Sequence, residues 1–289
     1  VSGAQQPGRH ARTCARLTPA KTMATAVTNP ATVREMLARA AVALESRREA
    51  ELIAGLVLRQ SRAWLIAHDD DPIECVDAER FYSLVQKRSE GMPIAYLAGV
   101  REFYGREFRV DPAVLIPRPE TEHLVEWALT LDLPDHTRVA DIGTGSGCIV
   151  LTLAAERPQW RCAGTDLSAE ALVVAAENQT RLDLERVELL QGNLLSPLAG
   201  RALELIVSNP PYVAAGDSHL EKGDVRFEPD IALSDGGDGL ATIRTLIEDS
   251  RSLLVPGGWL LLEHGYDQAR AVRALFRKNG YENIETRRD

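Results

Sequence analysis

The chain has 289 residues, 45% of them hydrophobic and 26% charged, enough to bury a sizeable core in one large domain or two modest ones. Its 33 Lys and Arg against 42 Asp and Glu leave a formal charge of −9, which argues against naked nucleic acid as the principal partner unless basic residues cluster locally. Cys14, Cys75, Cys148 and Cys162 lie far apart with no Cys-x-x-Cys pair, and no apolar run reaches the roughly 18–20 residues of a membrane-spanning helix. A disulfide framework, a cysteine-rich zinc site and a membrane span are set aside, and a reducing cytoplasm fits.

Residues 1–22 hold Arg9, Arg12, Arg16 and Lys21, no acidic residue and no apolar periodicity. Such a start can be an organelle transit peptide. The plainer reading is a disordered extension or a start assigned too early, because Met23 directly precedes patterned sequence. Residues 23–98 form the first unit, a helical bundle. Val33, Leu37, Ala40, Ala41 and Leu44 recur at helical spacing, as do Leu52, Ile53, Leu56 and Val57, and then Phe81, Leu84 and Val85 after an expected cap at Asp77. Gly91 and Pro93 should stop the last of these helices. Residues 99–118 read as a linker, with a short β-hairpin turning near Gly105 and a stiff Ile116-Pro117-Arg118-Pro119 connector. Pro119 should open the next helix, with Glu120 and Glu122 in its first turn.

Residues 119–289 form the second unit, and from 137 onward the rhythm is strand then helix. Short apolar runs at 139–142, 162–165, 187–190, 205–207 and 259–262 alternate with helical stretches, notably 169–180 and 240–254. This pattern predicts an α/β domain with a parallel sheet covered on both faces.

The first of these strands runs into Gly143-Thr144-Gly145-Ser146-Gly147, and an apolar helix follows near Cys148. Glycines there let the backbone turn tightly and approach a ligand at the positive end of a helix. Asp141 precedes the loop, where a carboxylate suits an ammonium or sulfonium group and would repel a pyrophosphate. Asp166 ends the next strand about 20 residues beyond the loop, the place for a carboxylate that grips ribose hydroxyls. The Gly-x-Gly-x-Gly spacing also differs from the dinucleotide fingerprint, so the expected ligand is S-adenosyl-L-methionine. The alternative, a tight structural turn beside two solvated aspartates, leaves both carboxylates as coincidence.

A further strand ends in Ser208-Asn209-Pro210-Pro211-Tyr212. Consecutive prolines at the C-terminal end of a strand make a rigid loop where open α/β sheets place their ligands. Such a loop can aim two acceptors, the Asn209 side-chain carbonyl and the Pro210 backbone carbonyl, at one NH2 group, while Tyr212 offers a flat face. An exocyclic base amine or a carboxamide is the expected substrate. Either nitrogen is a weak nucleophile, and accepting hydrogen bonds from both of its N–H groups would turn its lone pair toward the methyl donor. Taken alone, the motif could also be a type I turn.

With these residues in view, the chain resembles the release-factor glutamine methyltransferases, the HemK/PrmC family, from about Ala31 onward. The resemblance rests on the segments Pro93–Gly99, Val114–Glu122, Asp141–Gly147, Asn209–Tyr212, Gly223–Pro229 and Leu262–Gly265. It implies a Rossmann-like, seven-stranded class I S-adenosylmethionine-dependent methyltransferase domain behind an N-terminal substrate-docking bundle. It also implies transfer of a methyl group to N5 of the glutamine in the Gly-Gly-Gln tripeptide of class I peptide-chain release factors, in translation termination, by a cytoplasmic monomer without direct nucleic-acid contact or a metal.

Carried over onto this sequence, Gly143 to Gly147 and Asp166 bind the cofactor, joined by Asp141 and, at the adenine, by Asn193 and Leu194. Asn209 touches cofactor and substrate, Pro210, Pro211 and Tyr212 line the glutamine pocket, and Asn209, Pro210 and Tyr212 are the catalytic candidates. Three positions depart from the family pattern: Asn193 and Leu194 replace a usual Asp and aromatic residue, Leu203-Glu204 stands upstream of the fourth strand in place of Phe-Asp, and the chain stops at Asp289 before an expected last antiparallel strand. Two rival readings share the Asn-Pro-Pro-Tyr logic: a glutamine methyltransferase of a large-subunit ribosomal protein, and a DNA adenine-N6 methyltransferase. The first fits the connector less well, and the second lacks a basic DNA-binding region.

Overall fold

Polar caps start the first three helices. Thr32, Ser46 and Ser61 accept from the backbone N–H groups of Glu35, Glu49 and Trp64, opening α1 (Val33–Leu44), α2 (Arg47–Leu58) and α3 (Arg62–Ala67). With α4 (Cys75–Ser89) and the short α5 (Ile94–Ala98) they form a bundle whose core includes Met36, Leu37, Ile53, Leu65 and Phe81, all fully buried. The computed structural model describes residues 32–218 and 223–288, so the extension expected at 1–22 lies outside the described residues. Asp77 is not a cap. Helix α4 begins earlier, at Cys75 with Glu74 before it, and Asp77 sits in the first turn, where its charge still favours the helix dipole. Helix α4 stops at Ser89, just ahead of Gly91 and Pro93 as expected, and Pro93 then precedes α5 as its N-cap residue.

The hairpin forms as expected. β1 (Val100–Phe103) and β2 (Arg106–Arg109) pair antiparallel around Tyr104 and Gly105, whose φ angles of 51° and 70° give a two-residue primed turn. The inner side chains Phe103 and Phe108 meet edge to face at 6.1 Å. Pro119 then begins α6 (Pro119–Thr130), with Glu120 and Glu122 in its first turn.

The main sheet is five-stranded and wholly parallel. Its strands are β3 (Arg138–Ile142), β4 (Arg161–Asp166), β5 (Glu188–Gln191), β6 (Leu203–Ser208) and β7 (Leu254–Leu262), in the order β5-β4-β3-β6-β7. Helices α7 (Cys148–Glu156), α8 (Ala169–Arg181), α10 (Ala241–Ser250) and α11 (Ala269–Lys278) accompany it, with a one-turn α9 (Asp230–Leu233) before α10. One apolar cluster around Ile149, Leu151 and Leu205 and a second around Ile206, Ile243 and Leu246 make up its core.

The main sheet differs from the sequence reading in three ways. It has five strands among the described residues, one for each of the five apolar runs, where the resemblance implies seven, and residues 282–287 line a groove shared with Trp259, Leu261 and His264 of the β7 side. β7 begins five residues early, at Leu254, because a register shift opposite Leu203 and Leu205 absorbs the Pro256-Gly257-Gly258 interruption, and α10 accordingly stops at Ser250. Leu203 and Glu204 lie inside β6, where Glu204 pairs with Arg138 of β3 at 2.6 Å. No helix among the described residues is long and apolar enough to cross a membrane.

The strand order places the site. The chain runs from β3 outward through β4 and β5, then returns to lay β6 on the other side of β3, with Asp141 opposite Val207. The switch point is the gap between the C-terminal ends of β3 and β6, where open parallel sheets bind ligands. The glycine loop leaves one of these ends and the Asn-Pro-Pro-Tyr loop leaves the other.

Candidate active site

The loop after β3 is shaped mainly by its backbone. Gly143, Gly145 and Gly147 have φ of 73°, 54° and 80°, and the Gly143 and Thr144 N–H groups both donate to the Thr165 carbonyl at the end of β4. A Cβ on Gly164 would come within 2.8 Å of Thr144 Oγ1, so a bare glycine in β4 is what lets the loop lie this close to the sheet. Ser146 contributes its carbonyl to the buried Asn178 Nδ2 of α8 at 2.9 Å, and the same amide bonds both backbone groups of Arg109. Asn178 thereby ties hairpin, loop and helix together, a role no local sequence pattern announces.

The two aspartates occupy different environments. Asp141 is completely buried: Oδ2 accepts from Thr144 Oγ1 at 2.7 Å, and Oδ1 has no hydrogen-bond partner. Burial pushes its carboxyl up to about 7, with the Thr144 hydroxyl pulling the other way. Asp166 is half-buried, accepting from the Gly145 N–H at 2.8 Å and the Ser168 N–H at 2.9 Å. A carboxylate oxygen can accept more than one bond, so both oxygens retain capacity for hydroxyl donors. Asn193 is exposed just beyond β5, beside a half-buried Leu194 held at φ 48°. These residues fit S-adenosylmethionine. A Cβ at Gly143 or Gly145 would meet open space, and an unpartnered buried carboxylate oxygen behind the loop matches a cationic ligand.

Side chains lock the loop after β6. Asn209 Nδ2 donates to Thr121 Oγ1 of α6 at 3.1 Å, Thr121 Oγ1 donates to Glu263 Oε2 at 2.7 Å, and Tyr212 OH donates to Glu263 Oε1 at 3.1 Å. Burial and the neighbouring Glu263 charge raise the Tyr212 phenol well above its ordinary value, so it stays neutral. The Tyr212 backbone carbonyl accepts from Gln268 Nε2 at 2.9 Å. The loop candidates Asn209, Pro210, Pro211 and Tyr212 therefore come together at the switch point, and sequence reasoning missed Thr121 and Glu263. Both lie in segments that carry the resemblance, Val114–Glu122 and Leu262–Gly265, but neither was assigned a role; their remaining signal was position, a hydroxyl just inside a Pro-started helix and an acid at the end of an apolar strand.

Past this loop, residues 223–228 are clamped to the bundle and linker. Arg88 holds both oxygens of Glu49 at 2.9 Å and reaches Asp224 Oδ1 at 2.6 Å. Arg226 reaches back to the Glu90 carbonyl, and the buried Glu228 accepts from Arg118 and, at 3.0 Å, from the Ile116 N–H.

A glycine loop backed by a carboxylate, a second carboxylate closing β4 and a proline-stiffened loop across the switch point place the protein in the class I S-adenosylmethionine-dependent methyltransferases. Among solved structures, the catalytic domain of hMettl16 in complex with MAT2A 3'UTR hairpin 6 shares this fold, with a TM-score of 0.50 at 18% identity over 73% of this chain and 75% of that one. The methyltransferase small domain family matches residues 121–225, and the PrmC N-terminal domain family matches residues 32–99. Release factor glutamine methyltransferase of Salmonella typhimurium is 46% identical over 244 residues, covering 84% of this chain and 88% of that protein. Its counterpart in Xylella fastidiosa is 48% identical over 255 residues, covering 88% and 92%. The chain belongs to the release factor glutamine methyltransferase family.

Proposed function

We propose that this enzyme transfers the methyl group of S-adenosylmethionine to the side-chain N5 of the glutamine in the Gly-Gly-Gln motif of class I release factors, as a cytoplasmic monomer acting on protein and not on nucleic acid. The observation that carries this reading is the locked Asn209 amide. Thr121 takes its NH2, which leaves Oδ1 as an acceptor turned away from Thr121. With the Pro210 carbonyl it accepts the two N–H groups of the substrate amide, and the Tyr212 ring packs against the amide plane.

Bound S-adenosylmethionine supplies an electrophilic methyl group on a positively charged sulfur. The backbone of Gly143, Thr144, Gly145, Ser146 and Gly147 would hold it, with Asp166 on the ribose hydroxyls and Asn193 and Leu194 at the adenine. Asp141 would balance its positive charge from behind the loop. Asn209 and Pro210 would accept hydrogen bonds from the two amide N–H groups, turn the nitrogen lone pair toward the methyl group and stabilise the positive charge that develops on nitrogen as the methyl–sulfur bond breaks, after which the methylated nitrogen would lose one proton to water. Because both acceptors are fixed before the substrate arrives, little reorganisation remains for the transfer step. No strong base is needed ahead of transfer.

The test is methyl transfer from labelled cofactor to three candidates: a release factor, a large-subunit ribosomal protein and duplex DNA. Label should enter only the release factor and vanish when its Gly-Gly-Gln glutamine is replaced by alanine. Label in the ribosomal protein or the DNA would overturn the assignment.

A further inference from the structure

The chain Glu263–Thr121–Asn209 has a direction, and its direction has a chemical consequence. Glu263 follows β7 directly, and its N–H donates to the Ser208 carbonyl at 3.0 Å, so its backbone is pinned beside the start of the Asn209 loop. Thr121 is 2% exposed in the first turn of α6, with its N–H on the Arg118 carbonyl at 3.1 Å. A carboxylate has no hydrogen to give, and a threonine hydroxyl has one. Thr121 donates that hydrogen to Glu263 and can therefore only accept from Asn209, whose Nδ2 lies 3.1 Å away. Were the Asn209 amide turned over, its carbonyl would face a hydroxyl oxygen with no hydrogen left, two acceptors at hydrogen-bond distance in a largely buried setting. The second oxygen of the same carboxylate accepts from Tyr212. One carboxylate thus fixes both the polarity of the Asn209 amide and the placement of the Tyr212 ring.

We infer that Thr121 and Glu263 are positioning residues for methyl transfer, and that the direction of their hydrogen-bond chain makes the site select a substrate that presents N–H donors. This inference rests on the proposal that Asn209 Oδ1 accepts from the substrate amide. It adds a specificity the motif alone does not contain. A glutamine side chain brings two hydrogens to the waiting acceptors, whereas the isosteric glutamate side chain brings two oxygens and is repelled. When the chain is broken, Asn209 is free to turn its NH2 forward, and the penalty against glutamate falls.

Four variants (Asn209→Ala, Thr121→Val, Thr121→Ser and Glu263→Gln) separate the possibilities. For each, single-turnover kcat, KM for release factor, cofactor Kd and melting temperature are measured, together with inhibition by a release factor carrying glutamate in place of the Gly-Gly-Gln glutamine. Thr121→Val should lower kcat by about 10- to 50-fold with KM and cofactor Kd within about three-fold, and Glu263→Gln, whose amide can reverse the chain, should act in the same direction. Both should tighten inhibition by the glutamate form about three- to ten-fold, and Thr121→Ser, which keeps the hydroxyl, should restore kcat to within about three-fold.

Turnover of both Thr121→Val and Glu263→Gln within about two-fold of wild type, beside an Asn209→Ala variant slowed about 100-fold, overturns this inference and leaves the Asn209 reading standing. Loss of kcat with no change in glutamate inhibition also overturns it, since a merely structural role has that outcome. An Asn209→Ala variant that turns over normally overturns the reading beneath it. If Thr121→Val does not fold, Glu263→Gln decides by the same measurements.

Discussion

The glycine loop and the Asn-Pro-Pro-Tyr loop leave adjacent strands, yet they are held in opposite ways. The glycine loop is tied to the elements that flank it: Thr144 to Asp141 three residues back, Gly145 to Asp166 twenty-one residues on, and the Ser146 carbonyl to Asn178 thirty-two residues on. The Asn209 loop is tied by Thr121, 88 residues earlier, and Tyr212 by Glu263, 51 residues later. On the proposed assignment, cofactor binding would depend on the β3, β4 and α8 surroundings of the glycine loop, whereas orientation of the substrate amide would depend on the relative placement of α6, β6 and β7. Damage to tertiary packing should reach the chemistry before it reaches the cofactor.

Asn209→Ala gives the widest expected separation between the two loops. It should cut single-turnover kcat about 100-fold or more at saturating cofactor while calorimetric cofactor affinity stays within a few-fold. Asn209→Asp should also fall well below wild type, because a charge in a closed pocket carries a desolvation cost that outweighs its better acceptor. Asp166→Ala should show the reverse pattern. Cofactor affinity should weaken by about 1.5–3 kcal/mol, the scale of lost charge-assisted hydrogen bonds, with kcat at saturation little changed; equal calorimetric affinity would remove Asp166 from the site.

The bundle sharpens the comparison from outside both loops. Arg88→Ala removes the cation that Glu49 and Asp224 share and should cost about 1–3 kcal/mol, or roughly 2–12 °C in melting temperature. It should also raise KM for whole release factor several-fold with cofactor affinity unchanged, since remote contacts supply the energy that positions the reacting group. An Arg88→Ala enzyme with wild-type KM would separate the bundle from docking.

The smallest expected effect concerns Asp141. Its carboxyl is raised from 3.8 to about 7, so folding favours the protonated form. That contribution is full below the unfolded value and is lost as pH rises through about 7. Wild-type melting temperature should therefore fall more between pH 5 and pH 8 than that of Asp141→Asn, by about 2–4 °C for each kcal/mol involved. Cofactor binding near neutral pH should also release protons, readable as a dependence of calorimetric enthalpy on the buffer. Identical pH slopes for the two proteins would show that Asp141 is not the titrating group.

The same division explains what the sequence disclosed. Each sheet strand has an apolar run, and the runs at 139–142 and 205–207 need only short extensions to become β3 and β6. The hairpin turn and the Pro119 helix start were legible because glycine and proline act on their own backbone. Asp77 misled because a capping residue type also suits a first turn. The early start of β7 was hidden because Pro256 and two glycines look like a break unless the partner strand is known to shift register. Asp166, Asn209 and Tyr212 were singled out through their loops, and the structure places all three at the C-terminal ends of the sheet strands. Thr121 and Glu263 were not singled out, since the role proposed for them lies in which hydrogen Thr121 gives and Glu263 accepts, and that is fixed only when three distant segments meet.

The Arg88 clamp also decides how this enzyme can be recombined. The helical unit matches a family of its own at residues 32–99, which invites exchange at the covalent hairpin linker. The electrostatic seam lies elsewhere. A graft of 32–99 carries Glu49 and Arg88 across but leaves Asp224 and Arg226 behind, so the incoming Arg88 keeps Glu49 and loses its contact to the catalytic domain. A working chimera must transplant residues 223–228 along with the bundle, making the exchangeable cassette discontinuous in sequence although it is contiguous in space.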